Sequence, residues 1–193
     1  MIFRETELPG AYIVELQSFQ DDRGQFARSW CREEFAAQGL ATDFVQGNVS
    51  VNPHKGTLRG MHYQEGEHGE VKLVRCARGA VYDVIIDLRP HSPTYRKWIG
   101  VELSAKAMNM LYVPVDFAHG FQTLVDDAEV NYLVSSPYAP KAARGVRYDD
   151  PAFSIEWPLA VTRISQQDKS WPLLAMDENG TKDRAPAAAQ IQA

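Results

Sequence analysis

Cysteine is scarce: Cys31 and Cys76 are the two in 193 residues. Two thiols make no disulfide framework, so any fold must rest on a buried core, and the composition suits a reducing, cytoplasmic compartment. Long apolar runs are missing as well. No stretch approaches the ~20 residues that a membrane helix needs. The N-terminal "MIFRETELPGAYI" has no basic segment followed by an apolar one, so neither a membrane span nor a secretory signal is expected. A surplus of positive charge is also missing. Twenty Lys and Arg stand against 25 Asp and Glu, for a net charge of −5. A nucleic-acid binder would carry a basic face, and none is expected here. No internal repeat marks a solenoid or a propeller.

What is present is a series of short apolar, β-branched and aromatic runs. They are "AYIVEL" (11–16), "DFVQGNVSV" (43–51), "EVKLVRCAR" (70–78), "AVYDVIIDL" (80–88), "KWIGVEL" (97–103), "MNMLYVP" (108–114), "HGFQTLV" (119–125) and "EVNYLVS" (129–135). Several alternate with period two, and Gly, Pro or paired Asp residues separate them. This pattern predicts an all-β antiparallel sandwich or barrel. Parallel strands would need a helix between most of them, and there is no room. One short helix is expected near residues 30–39, in "SWCREEFAAQGL", with Ser29 as its cap and Gly39 closing it. A hydrophobic content of 45% suits a single domain over 1–176. The polar, then Ala/Gln-rich "DENGTKDRAPAAAQIQA" (177–193) reads as a mobile tail.

Chemistry-bearing residues sit where a plain core would not put them. In "GTLRGMHYQ", Arg59 and His62 interrupt a strand-like run. Three positions apart, they should point to opposite faces unless Gly60 distorts the strand. Lys72 lies among Val71, Leu73 and Val74. A lysine on an inner sheet face is costly unless it is paired or functional. His119 precedes a strand and Tyr132 lies within one, so one sheet face could present His62, Lys72, His119 and Tyr132 into a barrel mouth. Metal binding is the competing use of these residues. His62 and His119 with Gln64 and Glu70 could form a mononuclear site, as in jelly rolls that carry His-x-His, a Glu and a distant His. Here the second His of that pair is Gln64, a poor ligand, so no metal is expected.

The blocks "DDRGQFARSW", "QGNVSVNPHKGTLRGMHYQ", "VKLVRCARGAVYDVIIDLRPHSPTYRKW", "YVPVDFAHGFQTL", "YLVSSPYAP", "RGVRYDDP" and "ISQQDKSWP" occur in that order. Together they resemble the nucleotide-sugar 3,5-epimerase family, from about residue 3 to 175. The resemblance implies a cofactor-independent, metal-free jelly roll of the cupin type, with a few helical turns near the C-terminus. It also implies a homodimer with a site shared between subunits. By the same likeness, His62 is the catalytic base, Asp168 the carboxylate paired with it, Tyr132 the proton donor, and Lys72 the cation beside the substrate's keto oxygen. Arg23, Arg59 and His119 match substrate-contacting positions, the arginines chiefly near the diphosphate. Gln46 and Asn48 match a binding segment, and Tyr138 an aromatic that stacks on the nucleobase. The implied substrate is a nucleoside-diphosphate 4-keto-6-deoxy sugar.

Three positions depart from the family pattern. Arg28 and Ala143 stand where a glutamate is usual, and Gln167 where a lysine precedes the aspartate. Thymine and uracil offer an N3–H donor that a carboxylate can accept. Cytosine offers an N3 acceptor, which the donor-only guanidinium of Arg28 suits. A CDP-linked sugar first and a GDP-linked one second are therefore expected in place of a dTDP-linked one, unless Arg28 points to solvent or pairs with a carboxylate, which would leave the nucleotide open. Other possibilities are a single-centre epimerase or keto-isomerase on the same scaffold, a metal-dependent cupin oxygenase, and a non-catalytic sugar-nucleotide binder.

Overall fold

The computed structural model describes residues 1–174; the tail expected at 177–193 lies outside them. In chain order the strands are β1 (Ile2–Glu5), β2 (Tyr12–Glu15), β3 (Ser18–Asp21), β4 (Gly24–Ala27), β5 (Gln46–Asn52), β6 (Leu58–Gln64), β7 (Lys72–Arg78), β8 (Ala80–Asp87), β9 (Trp98–Ser104), β10 (Asn109–Val113), β11 (Phe117–Thr123), β12 (Ala128–Val134) and β13 (Ala143–Gly145). Helix α1 (Arg32–Ala37) lies between β4 and β5, and α2 (Gln166–Ser170) follows β13. A six-stranded sheet runs β1-β2-β10-β7-β12-β5 and a five-stranded sheet runs β13-β6-β11-β8-β9. The two sheets form a β-sandwich. Among the described residues no pairing joins one sheet to the other, so the barrel alternative is replaced by an open sandwich.

Period-two alternation explains the layers. On β7, Val74 and Cys76 point inward and join Leu111, Val113 and Val130 of the same sheet. Across from them are Val81 and Ile85 of β8, Leu103 of β9, and Phe117 and Phe121 of β11. Leu73 points the other way. It packs with Val14, Met110 and Tyr112 under Phe35 of α1. The outer face of the smaller sheet buries Val84, Ile86 and Ala118 beneath Val146 and Phe153.

Helix α1 has six residues, too few to hold itself in water. Phe35 anchors it, with ring centroids 5.1 Å from Phe3 and 6.2 Å from Tyr112. The expected Ser29 cap is not made. The chain stays extended through Cys31, which occupies the N-cap position without a side-chain bond. Trp30 is held edge-on against Phe44, at 6.2 Å. That contact keeps the chain extended past Ser29 and delays the helix start. Gly39 closes the helix with φ +69°, as its missing Cβ allows.

Candidate active site

The sandwich opens at one end into a cavity of about 950 Å³, walled by both sheets and by α2. From the larger sheet, alternation brings Lys72 in line with the inward Val74, and Tyr132 in line with Val130. Asn48 of the edge strand β5 is the register partner of Tyr132. From the smaller sheet, β6 supplies Arg59 and His62, and β11 supplies His119.

Arg59 and His62 reach the same cavity because β6 carries an extra residue. His119 pairs with His62 and Phe121 with Arg59, so three steps on β6 match two on β11. This is a β-bulge, and it re-aims one of the two side chains. Gly60 makes it possible. Its φ is +140°, and a Cβ there would lie 2.5 Å from Gly120 Cα. On the other side of His62, register partner Gly145 leaves room for Trp171. A Cβ at Gly145 would lie 2.2 Å from the indole.

His62 Nε2 lies 2.6 Å from Asp168 Oδ1. The carboxylate can only accept, so Nε2 carries the proton and Nδ1 is the ring's basic nitrogen. Asp168 is buried and His62 half exposed. The aspartate is held from behind: its own backbone N–H bonds Ser165 Oγ at 3.0 Å, the N-cap of α2, and Gly60 N–H points at Oδ2 from 3.4 Å. Nearby, His119 Nε2 sits 2.9 and 3.0 Å from the two oxygens of the fully buried Asp83.

Lys72 is the buried cation anticipated from its apolar neighbours. Its Nζ donates to the His62 carbonyl at 3.1 Å and pairs with Glu70 at 3.2 Å. The Tyr132 phenol is pushed above its ordinary value, first by burial and then by the charge of Glu70, while the Arg59 guanidinium opposes the shift. The Gln64 side chain is taken up by hydrogen bonds within the protein. Its amide nitrogen donates to His68 O, Glu70 and Pro137 O, and its oxygen accepts from Ala139 N at 2.6 Å. It thereby fastens the loop that carries Tyr138, an exposed ring at the cavity wall. Among the described residues no three His, Cys, Asp or Glu converge on a possible metal position.

The cavity gathers His62, Lys72, Tyr132, Asp168, Arg59, Gln46, Asn48, His119 and Tyr138. It does not gather Arg23 or Arg28. Both sit on the β3–β4 hairpin, which pairs with neither sheet. Arg23 is bound to Asp21 at 2.6 Å and Arg28 to Glu34 at 2.9 Å. Three cavity features escaped sequence reasoning: the Glu70 partner of Lys72, the Asp83 partner of His119, and Arg163. The first two had a signal, since a buried lysine or histidine needs a carboxylate and Asp83 interrupts an apolar run. Arg163 had none.

A β-sandwich whose open end holds two His–Asp pairs, a paired lysine and a half-buried tyrosine has the equipment of an acid–base enzyme. The chain belongs to the dTDP-4-dehydrorhamnose 3,5-epimerase family, whose model matches residues 5–176, and is thus an epimerase of the isomerase class. It is 42% identical over 176 residues to the dTDP-4-dehydrorhamnose 3,5-epimerase of Salmonella typhimurium, covering 90% of this chain and 96% of that protein. A crystal structure of the Bacillus anthracis enzyme, with TDP and PPi bound, superposes with a TM-score of 0.87 at 40% identity, covering 90% of this chain and 99% of that one. A 3'-monoepimerase from Streptomyces bikiniensis, solved with dTDP-quinovose, superposes with a TM-score of 0.81 at 35% identity, covering 87% and 85% of the two chains.

Proposed function

We propose that the protein epimerises a nucleoside-diphosphate 4-keto-6-deoxy sugar at C3, C5 or both. The observation that carries this reading is the opposition of His62 and Tyr132 across one cavity, with Lys72 buried beside them. The C4 ketone acidifies the C–H bonds at C3 and C5. His62 Nδ1 removes a proton from one face, and Asp168 holds the ring's orientation and stabilises the imidazolium that forms. The electrons move onto O4. Lys72 stabilises this enolate, and an oriented charge in such a site is worth roughly 3 kcal/mol. Tyr132 returns a proton to the other face, inverting the centre. The ketone is itself the electron sink, so the reaction calls for no cofactor. Arg59 takes the diphosphate, Gln46, Asn48 and His119 contact the substrate, and Tyr138 stacks on the base.

Turnover in deuterium oxide followed by mass spectrometry tests the reaction. Two exchanged sugar positions are expected for a 3,5-epimerase. One would favour the mono-epimerase reading, which the likeness to the Streptomyces bikiniensis enzyme supports. His62→Ala should lower turnover roughly 10²–10⁴-fold; full activity in that variant would refute the mechanism.

The shared, dimeric site is part of the same reading. The hairpin carries Arg23 and Arg28 away from its own cavity and leaves Phe19 75% and Phe26 72% exposed. Edge strand β5, beside the cavity, exposes Val49 and Val51. We assign the hairpin to the cavity of a second copy, where Arg23 meets the diphosphate and Arg28 the base. The Arg28 side of the Arg28–Glu34 pair is open to solvent, so water screens the pair and Arg28 can exchange it for a nucleobase. Its donors favour CDP first and GDP second, whereas the names of the relatives carry dTDP. Calorimetry with dTDP, CDP and GDP decides. Tighter binding of dTDP than of CDP would remove the CDP assignment and leave the reaction untouched.

A further inference from the structure

Most basic side chains lining the cavity face a carboxylate. His62 faces Asp168, His119 faces Asp83, Lys72 faces Glu70 and Arg144 faces Glu65. Two cationic side chains of the cavity wall, Arg59 and Arg163, have no carboxylate partner among the described residues. Arg59 donates through Nε to the Asn52 side-chain oxygen at 2.7 Å. Arg163 donates through Nη1 to the carbonyl of Thr162 at 2.9 Å. Both contacts are to neutral oxygens, and each leaves most of the guanidinium's donors for other use.

The backbone puts the two arginines at the same end of the cavity. Arg163 forms a parallel bridge with Thr57, and its carbonyl accepts from Leu58 N–H at 2.8 Å. Thr57 and Arg59 are two apart in an extended chain and so share a face. The bridge therefore sets Arg163 beside the strand that presents Arg59. The backbone bond that holds it does not involve its side chain. Two arginines on neighbouring backbone segments, both on the wall of one polar cavity and without an acidic partner among the described residues, are matched to a ligand that brings several anionic oxygens. Guanidinium forks bind phosphoryl oxygens in bidentate fashion.

We infer that Arg163 is a further diphosphate-binding residue, the second from the chain that supplies Arg59, and that it acts with Arg59 to hold the pyrophosphate of the sugar nucleotide. The assignment deepens the proposed function and rests on it. Arg163 lies on the segment that leads into α2, the helix bearing Asp168. Closing its guanidinium on the diphosphate would tie the nucleotide end of the substrate to the element that holds His62 in orientation.

The test begins with calorimetry of wild type against dTDP, CDP and GDP, and continues with the tightest of the three. Arg163→Ala should weaken that nucleoside diphosphate about tenfold, the scale of a lost charge-assisted hydrogen bond. Arg163→Lys should recover part of the loss, because it restores the charge without the fork. With the sugar-nucleotide substrate, the larger share of the Arg163→Ala effect should fall on KM. Arg163→Ala binding within twofold of wild type would overturn the assignment alone. So would a loss that falls on kcat, or one that the lysine variant does not relieve. Wild type that binds none of the three diphosphates would overturn the proposed function and this assignment with it.

Discussion

At the residue scale, the cavity separates groups by their partners. His62 is oriented by a buried carboxylate, while Tyr132 is half-buried near the negative charge of Glu70, which favours its neutral form. A donor must hold its proton until the carbanion forms, and the shift of Tyr132 acts in that direction. Its phenol pKa is raised above that of an ordinary tyrosine, so loss of the proton is displaced to higher pH. If base and acid serve opposite faces, removing the acid should uncouple exchange from inversion. Tyr132→Phe is therefore expected to wash deuterium into the substrate carbon while forming little inverted product. Nuclear magnetic resonance of recovered substrate measures both. Unimpaired inversion in Tyr132→Phe would assign the donor elsewhere. That Arg59 and His62 mark a site was legible as residue type, since neither belongs on a plain pleated surface. That both reach one cavity was not, because a bulge depends on the partner strand as well as on Gly60.

At the scale of elements, the eight strands marked by alternation are all present, with ends shifted by a few residues. Short strands β1, β3, β4 and β13 were not marked. Each has three or four residues, too few for a period to stand out. Helix α1 was legible but one turn too long, because the Trp30–Phe44 contact lies between segments and not within one. The same dependence predicts fragility. Phe35 is fully buried and is the buried residue by which α1 grips the larger sheet. Phe35→Ala should cost about 3–5 kcal/mol and lower the melting temperature by roughly 10 °C. Differential scanning calorimetry would show it. A change under one degree would mean that α1 is held by something other than this side chain.

At the scale of the whole molecule, the hairpin is the element one chain leaves unexplained. Phe19 and Phe26 are cross-strand partners, both exposed, on a two-stranded ribbon outside either sheet. An isolated ribbon of this kind is marginal in water, and burial against a second copy would stabilise it. Light scattering at micromolar concentration should give twice the mass of one chain. Phe19→Asp with Phe26→Asp should shift that mass toward one chain and weaken nucleotide binding together. A wild type that stays at the mass of one chain would separate the hairpin from the site.

The amino-acid sequence by itself determined the all-β class, the main strands, and the residue types that carry the chemistry. These are properties of local pattern: alternation, turn residues, and ionisable groups set among apolar ones. The ordered motifs also pointed to the family that the comparisons established. The tertiary structure decided which of those groups meet. It opened the sandwich instead of closing a barrel, gave His62 and His119 separate aspartates, set Glu70 against Lys72, and carried Arg23 and Arg28 away from the cavity of their own chain. It also brought in Arg163, more than a hundred residues from Arg59 in sequence. Periodicity reaches only as far as a strand's own neighbours. The match between a cation and its counter-charge depends on strand pairing and packing across the whole chain.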